Sequence, residues 1–441
     1  MAGRVFIGDV SFSSGPMGQN NSESLPEALA ELGIHTGKMR TDTTPRLNIN
    51  TIDFFGMTPQ LSEDEPLCFD IWGEGRTYTG YACWFSRTTE KTYDILARNI
   101  ERSPLVTGDV EAHGPRYCPS IEDKFLRFPD HITHPIVFEP VSLNTPEVYV
   151  QNFSTSLPYD VQVEMVHSLP GCEHAKIIKP GYGIEYTYII PEQLKRTLEY
   201  KDIPGLFFAG QVNGTSGYEE AAAQGLLAGI NAAMFVKGNE PVILGRDEAY
   251  LGVLVDDLTT KSTDEPYRML TGRCEHRLLL RWDNVAHRLS RYGIRAGLID
   301  GEKLKFIEAR FSREDEEISR LKNTRITPSA EIESLCREYD AEILQESMSL
   351  ADYLKHRGVT YDLIAELSPS PENLTREEVA HIETELRYTG YLEREMRVAE
   401  RMKNLDGAKI PADFDYDSVK GLRSESLQKL KRYRPESLGH A

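Results

Sequence analysis

Residues 205–229 read Gly-Leu-Phe-Phe-Ala-Gly-Gln-Val-Asn-Gly-Thr-Ser-Gly-Tyr-Glu-Glu-Ala-Ala-Ala-Gln-Gly-Leu-Leu-Ala-Gly. The pattern predicts an apolar strand at Leu206–Ala209, a loop holding Gly210, Gly214 and Gly217, and an alanine-rich helix starting near Tyr218. Glycines let a backbone pass close to a ligand, and the free N–H groups of a helix start attract negative charge. Such a strand–loop–helix suits a nucleotide cofactor. The same glycines also serve an ordinary β-turn-α connection, and spacing alone does not choose between the two. The usual first half of a dinucleotide site, GxGxxG, occurs nowhere in the 441 residues.

A second chemical candidate is Cys118, in Gly114-Pro115-Arg116-Tyr117-Cys118-Pro119-Ser120-Ile121-Glu122-Asp123-Lys124. Prolines at 115 and 119 restrain the backbone around it. Arg116 and Lys124 favour the thiolate, whereas Glu122 and Asp123 oppose it. A lone cysteine is also an ordinary small buried hydrophobe. A third candidate is basic: Arg268, Arg273, Arg277, Arg281 and Arg288, several of them three or four apart. A helix would line them along one face, suiting either a phosphate backbone or plain solvent. Lys429, Lys431, Arg432 and Arg434 make a smaller cluster near the C-terminus, of the kind usual on a solvated surface.

The elements that must carry these groups divide into two textures. Residues 25–32 predict a short helix ended by Gly33. Strands are expected at Ile136–Phe138, Val148–Val150, Lys176–Ile178 and Ile184–Ile189, with helices at Thr92–Arg102 and Val161–Ser168. Beyond about residue 236 glycine thins and charge rises, and 302–323, 341–355 and 376–404 carry apolar positions at helical spacing. The length supports two or three domains. A formal net charge of −19 argues against nucleic-acid binding through overall charge, though not through a local basic patch. No apolar run is long enough for a membrane span, and no secretory signal pattern is seen. The six cysteines lack CxxC spacing, which argues against a zinc site and a disulfide framework; no metal site is expected, and a reducing cytoplasmic setting is.

The 205–229 segment resembles the closing flavin-binding motif of the MnmG/GidA family, which modifies the wobble uridine of certain tRNAs. The likeness continues in Pro180-Gly181-Tyr182-Gly183-Ile184-Glu185-Tyr186, in Ala249–Leu258 and in Glu265-Pro266-Tyr267-Arg268-Met269. It implies an α/β fold: an incomplete FAD-binding Rossmann-like domain with an inserted mixed α/β domain, followed by a mainly helical C-terminal domain. The implied boundaries are 1–50 and 201–240 for the FAD-binding part, 51–200 for the NAD-binding insert and 241–441 for the helical tRNA- and partner-binding part. It implies that Gln211 contacts the flavin, with Gly210, Asn213, Gly214, Thr215 and Gly217 near it. It makes Gly114, Pro115, Arg116, Tyr117, Pro119, Ser120, Ile121, Glu122, Asp123, Lys124, Phe125, Leu126, Arg127 and Phe128 an NAD-binding segment, with Cys118 the functional thiol. The implied cofactors are FAD and NADH, with methylene-tetrahydrofolate as one-carbon donor. The implied partners are tRNA, held by Arg268, Arg273, Arg277 and Arg281, an MnmE-type GTPase and a second copy of the chain. The implied product carries an aminomethyl or carboxymethylaminomethyl group on C5 of uridine 34.

Departures from the family pattern accompany the likeness. The family's N-terminal GxGxxG element and its second functional cysteine have no counterpart here, so the chain is expected to be a shortened one that binds FAD weakly by itself. The family's Thr-Gly-Thr-Pro-Pro-Arg reads Thr41-Asp42-Thr43-Thr44-Pro45-Arg46, an Asp in place of a Gly. A turn near Ser14–Gly18 lacks the family's arginine, and a Thr-His-Thr element reads Arg87-Thr88-Thr89. Two other readings stay open: a folate- and FAD-dependent tRNA uracil methyltransferase of the TrmFO type, and a non-catalytic tRNA- or partner-binding remnant.

Overall fold

The computed structural model of the chain describes residues 1–62, 70–73, 82–110, 112–116, 119–261, 265–411, 413–435 and 437–439. Tyr117 and Cys118 lie outside the described residues. The chain divides into two units: Met1–Val236 with Asp257–Met269, and Lys237–Asp256 with Leu270–Ala441.

Among its described residues the first unit is built on ten strands: β1 (Arg4–Ile7), β2 (Val10–Ser13), β3 (Thr36–Thr43), β4 (Arg46–Asn48), β5 (Thr58–Gln60), β6 (Cys83–Arg87), β7 (Pro135–Pro140), β8 (Glu147–Gln151), β9 (Ile177–Lys179) and β10 (Tyr182–Ile189). They form one sheet in the order β2-β1-β10-β3 and another in the order β5-β6-β7-β8-β4-β9. Every ladder among the described residues is antiparallel. The longest pairs Tyr182 with Thr43 through Ile189 with Thr36. Helices Glu90–Asn99, Ile121–Arg127 and Tyr159–His167 contribute Leu96, Ile121 and Met165 to one core with Phe138, Val150 and Leu157. Burial of such side chains contributes roughly 1.5–3 kcal/mol each.

The second unit is mainly helical, with Val285–Ala296, Gly301–Asn323, Ala330–Glu338, Tyr361–Leu367, Arg376–Arg387 and Thr389–Gly407 as its larger helices. Leu321, Cys336, Tyr353, Leu363 and Ile382 meet in its core. The mixed α/β and then helical architecture agrees with the sequence expectation.

Several local expectations hold. The 25–32 helix is observed at Leu25–Glu31, with Gly33 at φ +77°. The expected strands fall within β7, β8 and β10, and the one at 176–178 is shifted by a residue to β9. Three expectations are corrected. Leu206–Ala209 forms no strand. Tyr200 N donates to Leu206 O and Phe208 N to Leu198 O, but Leu206 N turns back to Ile203 O and Phe208 O accepts from Asn213 Nδ2, so a single bridge at Phe207 is all that results. A strand needs a continuous ladder partner, which apolar sequence cannot supply by itself. Residues 341–355 are helical only at Leu350–Tyr353, because Asp340 takes a left-handed φ of +50° and Met348–Ser349 pairs with Arg325–Ile326. Residues 268–284 form no helix beyond a 3₁₀ turn at Thr271–Arg273.

Candidate functional site

The glycine loop is a short 3₁₀ turn, Gly210–Asn213, followed by the Tyr218–Lys237 helix. Gly210 and Gly214 hold φ values of +82° and +76°, which only glycine adopts freely. Gly214 also packs on β3 and β10: a Cβ there would come within 3.0 Å of the Tyr188 ring and 3.3 Å of Met39 Cε. These two residues and Tyr186 form a small buried cluster under the loop.

Gln224 organises the loop from inside the helix. Its Oε1 accepts from Gly210 N at 3.1 Å and from Asn213 Nδ2 at 2.9 Å, and its Nε2 donates to Thr215 Oγ1 at 3.1 Å. Thr215 Oγ1 in turn donates to Gly210 O at 3.0 Å. Glu220 is buried too and accepts from Met269 N at 2.7 Å. A Cβ at Gly217 would overlap the Glu220 carboxylate, which explains that glycine. Neither Gln224 nor Glu220 stood out in the sequence as a site residue. Their signal was polarity at positions 220 and 224 on one face of an alanine-rich helix, where apolar packing is the norm. Two polar atoms at the loop remain buried without a partner, Asn213 Oδ1 and Ser216 Oγ. Gln211 is exposed, with the buried Tyr186 hydroxyl beside it but not in good hydrogen-bond geometry. Burial pushes the Tyr186 phenol up to about 12.

The second cluster surrounds the 114–128 segment. Ser120 caps the Ile121–Arg127 helix by a reciprocal capping box with Asp123. Asp123 Oδ2 also accepts from Arg40 Nη2 at 2.9 Å. Arg40 is buried beneath Gly114, where any Cβ would strike its guanidinium, and its backbone N–H bonds to His113 O at 3.2 Å. Its Nε lies 3.3 Å from Asp42 Oδ2, an ion pair without hydrogen-bond alignment. Burial raises the Asp42 carboxyl to about 7, against the pull of Arg40 and with help from Glu122 and Asp123. Burial likewise raises the Glu122 carboxyl, although Ser156 N at 2.8 Å and Thr155 Oγ1 at 2.9 Å donate to its Oε1. Its Oε2 has no partner. Two carboxyl groups, Asp42 and Asp123, therefore meet one guanidinium beneath the loop that leads to Cys118, with Glu122 near enough to raise Asp42 further. Lys124 Nζ donates to Asn152 O at 2.7 Å, and Phe125 stacks obliquely on Tyr93 at 4.7 Å.

The four arginines expected at nucleic acid do not share a helix face. Arg268 belongs to the first unit and donates to Ser216 O at 2.9 Å; the others belong to the second. Arg277 is exposed and Arg273 partly so. Arg281 is held by Asp283 at 3.0 Å and Glu385 at 2.8 Å, with 11% of its side chain exposed. Its guanidinium serves an internal ion-pair network.

The class of protein is an α/β unit carrying a glycine loop, followed by a helical unit. The family described as "Glucose inhibited division protein A" matches residues 1–240. The C-terminal helical domain and helical bundle of "tRNA modifying enzyme MnmG/GidA" match 302–396 and 398–441. The chain belongs to the MnmG/GidA family. It is 45% identical over 439 residues to the tRNA uridine 5-carboxymethylaminomethyl modification enzyme MnmG of Listeria monocytogenes serotype 4b, covering 100% of this chain and 70% of that protein. The protein of the same name from Thermodesulfovibrio yellowstonii is also 45% identical over 439 residues, with the same coverage. The crystal structure of Aquifex aeolicus GidA superposes with a TM-score of 0.87 at 37% identity, covering 100% of this chain and 70% of that one.

Proposed function

We propose that this chain acts in the modification of tRNA uridine 34, adding a carboxymethylaminomethyl or aminomethyl group at C5. The observation that carries the proposal is the 45% identity across the whole chain to MnmG proteins, which takes in both the 114–128 and the 205–229 blocks. FAD is the proposed cofactor at the glycine loop. The loop fits one end of a flavin: two left-handed glycines keep side chains out of the way, and Asn213 Oδ1 and Ser216 Oγ are buried polar atoms that lack a partner. Gln211, Gly210, Asn213, Gly214, Thr215 and Gly217 would hold it there. When bound, the flavin would supply the redox chemistry of the one-carbon transfer, with NADH as reductant and methylene-tetrahydrofolate as carbon donor.

The chain's own residues have distinct tasks in this reading. The Cys118 thiolate adds to C6 of the uracil, which makes C5 nucleophilic toward a one-carbon electrophile. Arg40, Asp123 and the Ser120 cap fix the backbone on either side of Cys118. The 114–128 segment is the proposed nicotinamide-dinucleotide contact. Arg273 and Arg277 are the proposed phosphate contacts, and Arg268 and Arg281 act by holding Ser216 O and the Asp283–Glu385 network. An MnmE-type GTPase, a second copy of the chain and a cytoplasmic setting complete the proposal. Among the described residues every cysteine is a free thiol, and no helix is long and apolar enough to cross a membrane.

The test is mass spectrometry of tRNA nucleosides from a bacterial strain that lacks MnmG and expresses this chain. The modified uridine is expected with the natural sequence and absent with Cys118→Ser. Equal modification by both proteins overturns the role of Cys118. No modification by the natural sequence, with the protein present and folded, overturns the activity.

A further inference from the structure

The second unit contains a buried cluster that this function does not use. His287 from Val285–Ala296, Glu314 from Gly301–Asn323 and His381 from Arg376–Arg387 each offer one ligand atom, and these atoms lie within 4.8 Å of one another. His287 Nε2 is 2.6 Å from Glu314 Oε2. His381 Nδ1 faces Asp283 Oδ2 at 3.3 Å, which leaves its Nε2 as the free donor atom. The His287 ring is stacked between Phe311, at 3.8 Å, and His381, at 4.4 Å. Glu314 and His381 are buried, while 28% of the His287 side chain is exposed.

We propose that His287, His381 and Glu314 form a transition-metal site, best suited to zinc, with Asp283 as the positioning residue behind His381. Two imidazoles and a carboxylate are a familiar zinc set that leaves a fourth position for water, here on the side where His287 reaches solvent. The ion would take the place of the His287 Nε2–Glu314 Oε2 hydrogen bond, since a ligating imidazole nitrogen must be free of its proton. Arg310 Nε holds the other carboxylate oxygen, Oε1, at 2.9 Å and leaves Oε2 for the ion. Asp283 fixes the tautomer and plane of His381, as carboxylates behind zinc-bound histidines do. Around one ion at zinc–nitrogen distances of about 2.0–2.1 Å the ligand atoms must draw in from their present spread. Side-chain rotation about three neighbouring helices supplies that movement. The Arg281 and Arg310 guanidiniums repel a dication and keep the affinity moderate. The sequence expectation of no zinc site rested on cysteine spacing alone; no cysteine takes part here, so that spacing does not bear on this cluster. The ion would clamp three helices together, and its role is independent of the chemistry at Cys118.

The experiment uses the full chain, stripped with a chelator and titrated with zinc and, separately, with cobalt(II). One equivalent of zinc is expected to bind and to raise the melting temperature. Cobalt is expected to give the visible bands of a tetrahedral nitrogen–oxygen site. His381→Gln and Glu314→Gln should abolish the cobalt bands, and Asp283→Asn should weaken zinc roughly 10–100-fold. His356→Gln, which alters an exposed histidine–carboxylate pair, should change nothing. Failure of the natural chain to bind either metal overturns the proposal, and so does a sulfur-to-cobalt charge-transfer band or a folded His381→Gln protein that keeps full affinity. The natural-sequence cobalt spectrum decides the matter even where a variant fails to fold.

Discussion

At the scale of residues, the two clusters around the proposed reaction differ in how fully their polar groups are satisfied. Gln224 uses its amide on both sides, so Gln224→Leu should strand the Gly210 N–H, at about 1–3 kcal/mol, and leave the Asn213 Nδ2 with only its bond to Phe208 O. Hydrogen exchange over 210–216 is expected to accelerate, and flavin affinity, read by fluorescence titration, to fall in step. Unchanged exchange would remove Gln224 from the role of organiser. Gly217→Ala drives a methyl group into Glu220 and should cost about 1–3 kcal/mol in denaturant unfolding. Asp42 is the opposite case, a carboxyl taken from water without a well-aligned partner. Its pKa is raised from 3.8 to about 7. Its contribution to stability is therefore full below about pH 4 and lost as pH rises through about 7, where the folded protein must ionise a buried group. Asp42→Asn should be more stable than the natural chain at pH 8, on the order of 2–4 kcal/mol, and close to it at pH 4. Melting curves at the two pH values check this; an equal difference at both would refute it. The oddity of Asp42 was legible as a departure from the family pattern. Its burial against Arg40 was not, because the residues that enclose it are distant in sequence.

At the scale of elements, legibility followed how local the deciding forces are. The Tyr218–Lys237 and Gly301–Asn323 helices were readable because periodicity and caps are local. Val161–Ser168 was placed within two residues of the observed Tyr159–His167. The failures share one cause. Leu206–Ala209 is apolar enough for a strand but finds only a bridge, and 341–355 has helical spacing but is claimed by a two-residue pairing at Met348–Ser349. In both, the partner's identity decided the backbone. The 376–404 segment was read as one helix and is two, parted at Tyr388 with φ −104° and ψ 12°. The Tyr250–Thr260 helix gives an element-scale prediction. Its Gly252 lies so close to the Gly245 carbonyl that a Cβ would overlap the oxygen, a backbone atom that cannot rotate away. Gly252→Ala should destabilise the chain by about 3 kcal/mol, at the upper end of overpacking costs. Urea unfolding with an unshifted midpoint would show that the contact can relax.

At the scale of the whole molecule, Asp42 in the first unit and Glu317 and Glu248 in the second respond to pH in opposite senses. In the second unit burial raises Glu317, but hydrogen bonds from Arg320 and Tyr361 outweigh it and hold the carboxyl below its ordinary value. Glu248 is held down in the same way, its burial offset by Gly245 N, Tyr292, Lys403 and Arg291. Stability from such groups is present above about pH 4.5 and is lost as pH falls below it. Hydrogen exchange at pH 4 against pH 7 should therefore show the helices around Glu248 and Glu317 opening in acid while the Asp42 pocket tightens. Parallel changes in both places would contradict the assignment. The amino-acid sequence by itself determined the family, the glycine loop, the Cys118 block and the division into an α/β and a helical part. Those rest on contiguous residues whose chemistry is local. Only the tertiary structure decided that Gln224 ties the loop together, that Arg40 is flanked by Asp42 and Asp123, and that His287, Glu314 and His381 meet. Burial and charge pairing act through space, between residues far apart along the chain, Arg281 and Glu385 being 104 positions apart, and no spacing in a sequence records them.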